Sequence, residues 1–289
     1  MDFISATELL QLCARENRPI SDIMKARELL STGIDEEELF EKLRTVLTIF
    51  AQSAKAPVAH PGASMGGLIG GEAKKLRAFY DRQPAATGTL FPAAITYAMA
   101  VLETNASMGL IVAAPTAGSS GVLPGVLLAL HESMDLTEEE KFAAVLNAAA
   151  IGYLAMRNAT VSGAEAGCQA EVGVASAMAA SAATEIWGGT PEQCLTAAGL
   201  CLSNLLGMVC DPVGGFVESP CQSRNALGAV NAITCAQLAL SGVTHISPLD
   251  EMLDAMVAVG RQMSPDLKET ARGGNAATPS ACARCEGCR

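Results

Sequence analysis

Between residues 104 and 250 the chain carries 15 charged side chains in 147 positions, while the other 142 positions hold the remaining 34 of 49. The middle of the chain is therefore its dry part, and it must be packed away from water. Small residues fill it, in runs such as AAVLNAAAIGYLAM and ASAMAASAAT. Alanine is the strongest helix former, and small side chains let helix axes approach closely. The alternating β-branched runs that signal a sheet are nearly absent, so the expected fold is all-α, a large single helical domain with glycine-rich loops. A surface this poor in charge also suits a face covered by another subunit.

Helix start signals recur along the chain. Ser5 with Glu8 forms a capping box ahead of Leu9 and Leu10, and Asp35 with Glu38 opens a segment whose Leu39, Phe40, Leu43, Val46, Leu47 and Phe50 repeat at helical spacing. Thr137 with Glu140 begins a helix expected to reach Arg157. Thr190, Pro191 and Gln193 begin one reaching Leu206, and Ser247 with Pro248 one ending at Gly260. Residues 1–55 read as an N-terminal helical arm packed on a main helical domain over 56–276, followed by a flexible cysteine-rich tail over 277–289.

Several functional classes are excluded. With a net charge of −11, the chain offers no basic patch for a phosphate backbone, so nucleic acid is not an expected partner. Residues 104–130 and 225–249 lack charge, but Pro115, Gly118, Gly121 and Pro124 break the first stretch. Asn225, Asn231, Gly242 and His245 break the second, so neither reads as a membrane span. The N-terminus MDFISATELL has no signal-peptide pattern, which places the chain in the cytoplasm, with its cysteines as thiols unless a metal takes them.

Four irregular stretches interrupt the helices: 60–75, 105–125, 162–173 and 210–225. Free backbone amides in glycine-rich turns that lead into helices can cradle a carboxylate, although the same residues also simply terminate helices. The ten cysteines sort by their surroundings. Cys13, Cys194, Cys201 and Cys235 lie in Ala/Leu-rich helical sequence and read as packing residues. Cys168, Cys210 and Cys221 sit in irregular stretches beside Glu165, Gln169, Glu171, Asp211, Arg224 and Asn225, a setting that suits thiolates. Their separations match no zinc-finger or ferredoxin spacing. Three thiolates on a cubane cluster would leave one iron open to substrate, as a catalytic metal requires. The tail CARCEGCR adds Cys282, Cys285 and Cys288, as a second site, an exposed thiol cluster, or a peptide folding back to cap an open iron.

The stretches NASMG, AAPTAGSSGVLPG, SGAEAGCQAEVGVASAMAA, NLLGMVCDPVGGFVESPCQSRNALGA and ETARGGNAATP resemble the α subunit of bacterial iron–sulfur L-serine dehydratase in its two-subunit form. The likeness runs from the arm to about Pro279. It implies a [4Fe–4S] cluster held by Cys168, Cys210 and Cys221, with Cys282 nearest the position of a displaceable fourth ligand, and a separate β subunit as partner. It also implies elimination of water from L-serine to give pyruvate and ammonia, with the open iron as Lewis acid. Pyridoxal phosphate would need a Schiff-base lysine, and the only lysine between Lys75 and Lys268 is Lys141, in a first helical turn. No pyridoxal phosphate is therefore expected. Ser64, Gly66 and Gly67, Gly118, Ser119 and Ser120, with Asn105 and Asn225, are the candidates for holding substrate. Arg224 is placed to pair with sulfur charge or with a carboxylate. None of His60, His131 and His245 makes a convincing base, so the base is expected on the β subunit. A related lyase acting on L-cysteine and a non-catalytic metal-binding subunit are the alternatives.

Overall fold

The computed structural model describes residues 2–83 and 86–284, so Cys285 and Cys288 lie outside the described residues. Among the described residues the fold consists of thirteen α-helices, with an isolated parallel bridge between Cys210 and Lys268 as the β feature. In chain order they are α1 (Ala6–Glu16), α2 (Ile20–Thr32), α3 (Glu36–Ala59), α4 (Glu72–Arg82), α5 (Leu90–Ala106), α6 (Val122–Met134) and α7 (Glu138–Asn158). They continue with α8 (Gly163–Ala166), α9 (Val174–Ile186), α10 (Pro191–Leu205), α11 (Cys221–Leu240), α12 (Leu249–Gln262) and α13 (Pro279–Cys282).

The small-residue runs occupy the centre. Every residue of α9 from Val174 to Thr184 is buried, with α6, α7, α10 and α11 packed round it. Only a helix of Ala, Ser and an occasional Val or Met can be surrounded so closely. A second layer forms where α5 packs on α3, α4, α6 and α11. There a Cβ added at Gly121 would stand 2.2 Å from the Ala98 carbonyl oxygen. Gly121→Ala is therefore expected to lower stability by about 1–3 kcal/mol, read as a lower urea midpoint; an unchanged midpoint would mean that α5 and α6 are not this close.

Residues 1–55 contribute Phe3, Leu9, Ile20, Leu43 and Phe50 to the same continuous core that includes Met256. Phe3 meets Tyr153 edge-on at 5.5 Å, and the Arg27 guanidinium lies 3.8 Å from the centre of the Tyr153 ring. The capping boxes of α7 and α10 form as the sequence predicts, with Thr137 and Glu140, and Thr190 and Gln193, bonding reciprocally. At α1 the Ser5 hydroxyl accepts from Glu8 N, but the Glu8 carboxylate turns to Ile4 N.

The start and end of α12 differ from expectation. Its N-cap is Pro248, without a side-chain cap, and it runs past Gly260 to Gln262. Gly260 is there for close packing and does not end the helix, since a Cβ on it would lie 2.5 Å from the Ala166 Cβ. Asp250, in the first turn, caps α1 by accepting from Ala6 N and Thr7 N.

Glu185, at the end of α9, accepts from Ser21 N and Asn147 Nδ2, and burial pushes its carboxyl above the usual range. A carboxyl whose folded pKa is raised stabilises the fold least once it is ionised, so its contribution falls as pH rises from the ordinary value of about 4.3 through the raised one. Glu185→Gln is expected to raise the melting temperature at pH 7 and to leave it nearly unchanged at pH 4. An equal effect at both values would count against this. Among the described residues no helix is long and apolar enough to cross a membrane.

Candidate metal centre

All four cysteines read as packing residues are buried. Burial pushes the Cys13 thiol up to about 12 and raises Cys194 and Cys201 as well, which makes them inert as thiolates. The other three converge from separate elements. Cys168 follows α8 and leads into a single π turn, Gln169–Gly173, that runs on into α9; such turns gather at functional sites. Cys210 lies in an extended segment whose amide donates to Leu267 O at 2.9 Å and whose carbonyl accepts from Glu269 N at 2.7 Å. Cys221 is the first residue of α11 and not part of an irregular stretch, so its sulfur stands at the positive end of a 20-residue helix.

The closest grouping pairs two cysteines with an acid. Cys168 Sγ, Cys210 Sγ and a Glu171 carboxylate oxygen lie within 4.8 Å of one another. Glu171 Oε2 is 3.9 Å from Cys168 Sγ and 3.7 Å from Cys210 Sγ. Thr116 Oγ1 donates to Glu171 Oε1 at 2.8 Å. Cys221 stands outside that tight trio, yet burial, reinforced by the facing Cys168 and Glu171, pushes its thiol up to about 12. Hydrogen bonding with Cys168, then burial, raises Cys210, and burial raises Glu171. Gly163 closes the wall, since a Cβ there would fall 2.4 Å from Glu171 Oε2 and 3.0 Å from Cys210 Sγ.

The cation of the site is Arg224, in the first turns of α11. Its Nη1 donates to Cys168 Sγ at 3.6 Å and to Val209 O at 2.8 Å, and it forms an ion pair with Asp211 Oδ1 at 2.7 Å. Burial opposes its charge, but Cys168 and Asp211 raise its pKa above the ordinary value. Asp211 Oδ2 in turn accepts from Asn275 N at 2.6 Å and from Asn275 Nδ2 at 3.0 Å. The C-terminal segment is thus fastened beside the cysteines, and Cys282 Sγ, in α13, reaches Ala276 O at 3.5 Å. Two soft sulfur donors and a carboxylate oxygen within 4.8 Å of one another, with a guanidinium beside one sulfur, are compatible with a metal site.

The candidate substrate groups are mostly engaged within the chain. The Ser64 hydroxyl and the amides of Gly66 and Leu68 all donate to the buried Glu218 carboxylate, at 2.9, 2.6 and 2.9 Å. Gly67 N bonds Ser64 O. This loop is a carboxylate cradle, as its glycines suggest, filled by the protein's own acid. Asn225 is fully buried and joins the 117–121 turn to α11, accepting from Gly121 N and donating to Gly118 O and Cys221 O. Ser119 is bonded to Thr116, and Ser120 Oγ to Ala117 O. Gly118 borders Glu171. Asn105 is half-buried in the last turn of α5.

His131 stands in the last turn of α6, at the far end from Gly121, with Nδ1 buried and unpaired among the described residues. His245 Nδ1 contacts Ser247 O at 2.7 Å, and His60 is the exposed C-cap of α3. Lys141 is in the first turn of α7, at the opposite end from the segment leading to Cys168. Sequence reasoning passed over Glu218, Asn275 and the pairing of Lys268 with Cys210. Glu171 had a signal, since it lies three residues after Cys168 and so on the same helical face.

The chain matches the family described as serine dehydratase alpha chain over residues 15–276. It is 44% identical over 278 residues to a probable L-serine dehydratase alpha chain of Bacillus subtilis, covering 96% of this chain and 92% of that one. It is 40% identical to the L-serine dehydratase alpha chain of Peptoniphilus asaccharolyticus, over 93% of this chain and 92% of the other. Against the L-serine dehydratase of Streptomyces coelicolor it is 39% identical, over 94% of this chain but only 60% of that longer protein. Both the matched span, which holds all the converging residues but Cys282, and the identities carried along nearly the whole length place this protein in the serine dehydratase alpha chain family.

Proposed function

We propose that the chain is the alpha subunit of an L-serine dehydratase, that Cys168, Cys210 and Cys221 hold a [4Fe–4S] cluster, and that Cys282 is placed to approach it. The observation that carries this reading is the meeting of Cys168 and Cys210 with Glu171 and Arg224 in one site, through contacts that span 39 residues from Glu171 to Cys210 and 56 residues from Cys168 to Arg224. When bound, a cluster with one iron free of protein thiolate supplies the Lewis acid that makes the serine hydroxyl a leaving group.

The chain's own residues do the rest. Arg224 and the start of α11 offset negative charge at the sulfurs. Asn225 and Thr116 fix the turn that borders the site, while Asp211 holds both Arg224 and the C-terminal segment in place. Asn105 and the Gly118 edge are the substrate contacts retained here, since the other candidate donors serve Glu218 and the 117–121 turn.

The base that removes the α proton is assigned to a β subunit. Met65, Met108, Leu110 and Phe216 are exposed large apolar residues, brought together by Met65 N bonding Ala106 O and by Gly66 lying against Phe216. A patch of this kind marks a docking face. Cys13, Cys168, Cys194, Cys201, Cys210, Cys221 and Cys235 are free, buried thiols, in keeping with the cytoplasmic setting proposed for the chain.

The test is anaerobic co-purification with the partner chain, followed by pyruvate assays on serine and cysteine. Serine is expected to react faster. A faster rate on cysteine would support a desulfidase, and no pyruvate from either would support a scaffold role. Activity is also expected to decay in air, as an incompletely ligated cluster loses iron, and full activity after prolonged aeration would contradict the cluster.

A further inference from the structure

We propose that the cleft between α2, α3, α7 and the end of α9 binds an organic cation, a primary amine on an apolar body without a carboxylate of its own. The site is separate from the metal centre and independent of the cluster reading. Glu171 lies in the π turn and Glu185 at the far end of the α9 helix that follows it. At about 1.5 Å per residue along a helix, roughly 20 Å separates them.

The first reason is shape. The cleft has a volume of about 720 Å³, within the range of roughly 300–1,000 Å³ that small-molecule sites occupy. It lies where the N-terminal arm meets the rest of the fold. Ser21 comes from α2, Phe40 from α3, Phe142 and Leu146 from α7, and Ile186 from α9.

The second reason is charge. Asp22, Glu36, Glu139, Glu140 and Glu185 line the cleft, and Lys25 is the one base among the described lining residues. Lys25 is taken by Glu36 at 2.8 Å. Asp22 pairs with Arg18 at 3.5 Å, and Glu140 closes the capping box of α7. Glu185 accepts hydrogen bonds from Ser21 and Asn147 but has no ion pair among the described residues. Burial, joined by the like charge of Asp22, holds its carboxyl above the usual range. An ammonium group placed there pairs with a carboxylate that the fold leaves short of positive charge, whereas an anion would meet the acids. A metal ion does not suit these acids either, since the donors close enough to share one, among the described residues, are those of Cys168, Glu171 and Cys210.

The third reason is the aromatic floor. Phe40 and Phe142 stack with ring centres 5.1 Å apart. The Lys25 ammonium lies 5.8 Å from the centre of the Phe40 ring while bonded to Glu36, and the Arg44 guanidinium lies 5.7 Å from that of Phe142 while bonded to Glu138. The chain thus already holds two of its own cations against these rings beside carboxylates. A π face next to a carboxylate is the chemistry that recognises an amine, and Leu146 and Ile186 add apolar wall for the ligand's body.

The test is calorimetric titration of the full chain at pH 7 with phenethylamine. Phenylacetate and phenethyl alcohol run alongside it, keeping the ring but replacing the cation by an anion or a neutral hydroxyl. Trp187, the chain's single tryptophan, stands between Ile186 and Gly188 of the lining, so its fluorescence reports entry of the amine. The amine is expected to bind at one site and shift that fluorescence, the alcohol to bind at least about tenfold more weakly, and phenylacetate not to bind. Glu185→Gln, which removes the charge and keeps the shape, is expected to weaken the amine at least about tenfold. Ala143→Leu, which fills the cleft from α7 without changing its charge, is expected to abolish binding. No response to the amine, equal affinity for amine and alcohol, or wild-type affinity in Glu185→Gln or in a folded Ala143→Leu would each overturn the site. Should Ala143→Leu not fold, Glu185→Gln decides alone. Amine binding that is lost when the β subunit joins would also overturn it, because the cleft would then be an interface between chains.

Discussion

Replacing Cys210 by alanine is expected to abolish pyruvate formation, by about 10³-fold or more, because a Lewis acid that assists departure of hydroxide contributes several kcal/mol to the barrier. The fold should survive the change. The two hydrogen bonds that hold residue 210 to Leu267 and Glu269 are made by backbone atoms, and alanine makes them equally well. Cys194 and Cys235 provide the contrast, since both are fully buried in helices and belong to the packed core. Alanine at either position is expected to lower stability by about 1 kcal/mol and to leave activity intact. Pyruvate assays and urea unfolding on the three variants check both halves. An active Cys210→Ala enzyme would remove the sulfur from the mechanism.

Arg224→Met is expected to destabilise the protein by about 3–5 kcal/mol, the usual result of removing one partner of a buried ion pair. Asp211 is only 2% exposed, so its carboxylate would be left in the interior with the Asn275 amides as its remaining partners. The loss also frees Val209 O and strips Cys168 of its nearest cation. The double variant Asp211→Asn with Arg224→Met removes both charges, and is expected to recover a large part of the lost stability. Urea unfolding of the two variants decides the matter, and a single variant as stable as wild type would mean that the pair is not formed.

Much of the helical scaffold was legible in short-range chemistry. Thr137 with Glu140, and Thr190 with Pro191 and Gln193, mark the helix starts where they occur, because a capping box is closed within four residues. The run ASAMAASAAT announced a helix that others can surround, which is the place of α9. The four cysteines read as packing residues are buried, because Ala/Leu-rich helical surroundings mark the faces that other helices cover, as where Cys201 meets Ser176 and Asn231.

What could not be read were contacts closed over long distances. The donors of the glycine-rich loop at Ser64, Gly66 and Leu68 are taken by Glu218, 150 to 154 residues later. No local spacing distinguishes that acid from a ligand. Asp211 meets Asn275 in the same way, and Cys210 meets Lys268 through backbone alone, which leaves no side-chain signature. Gly260 was misread for the opposite reason. A glycine near a helix end suggests a terminus, but here it admits Ala166.

The central claim is that Cys168, Cys210 and Cys221 hold a four-iron cluster. It is tested most directly by an iron and acid-labile sulfide count on the anaerobically prepared chain, full length and truncated after Pro279. The account predicts about four of each per chain in the full-length protein, with the count retained after truncation and lost in Cys210→Ala. Pyruvate formation from serine by a preparation containing neither iron nor sulfide would contradict it.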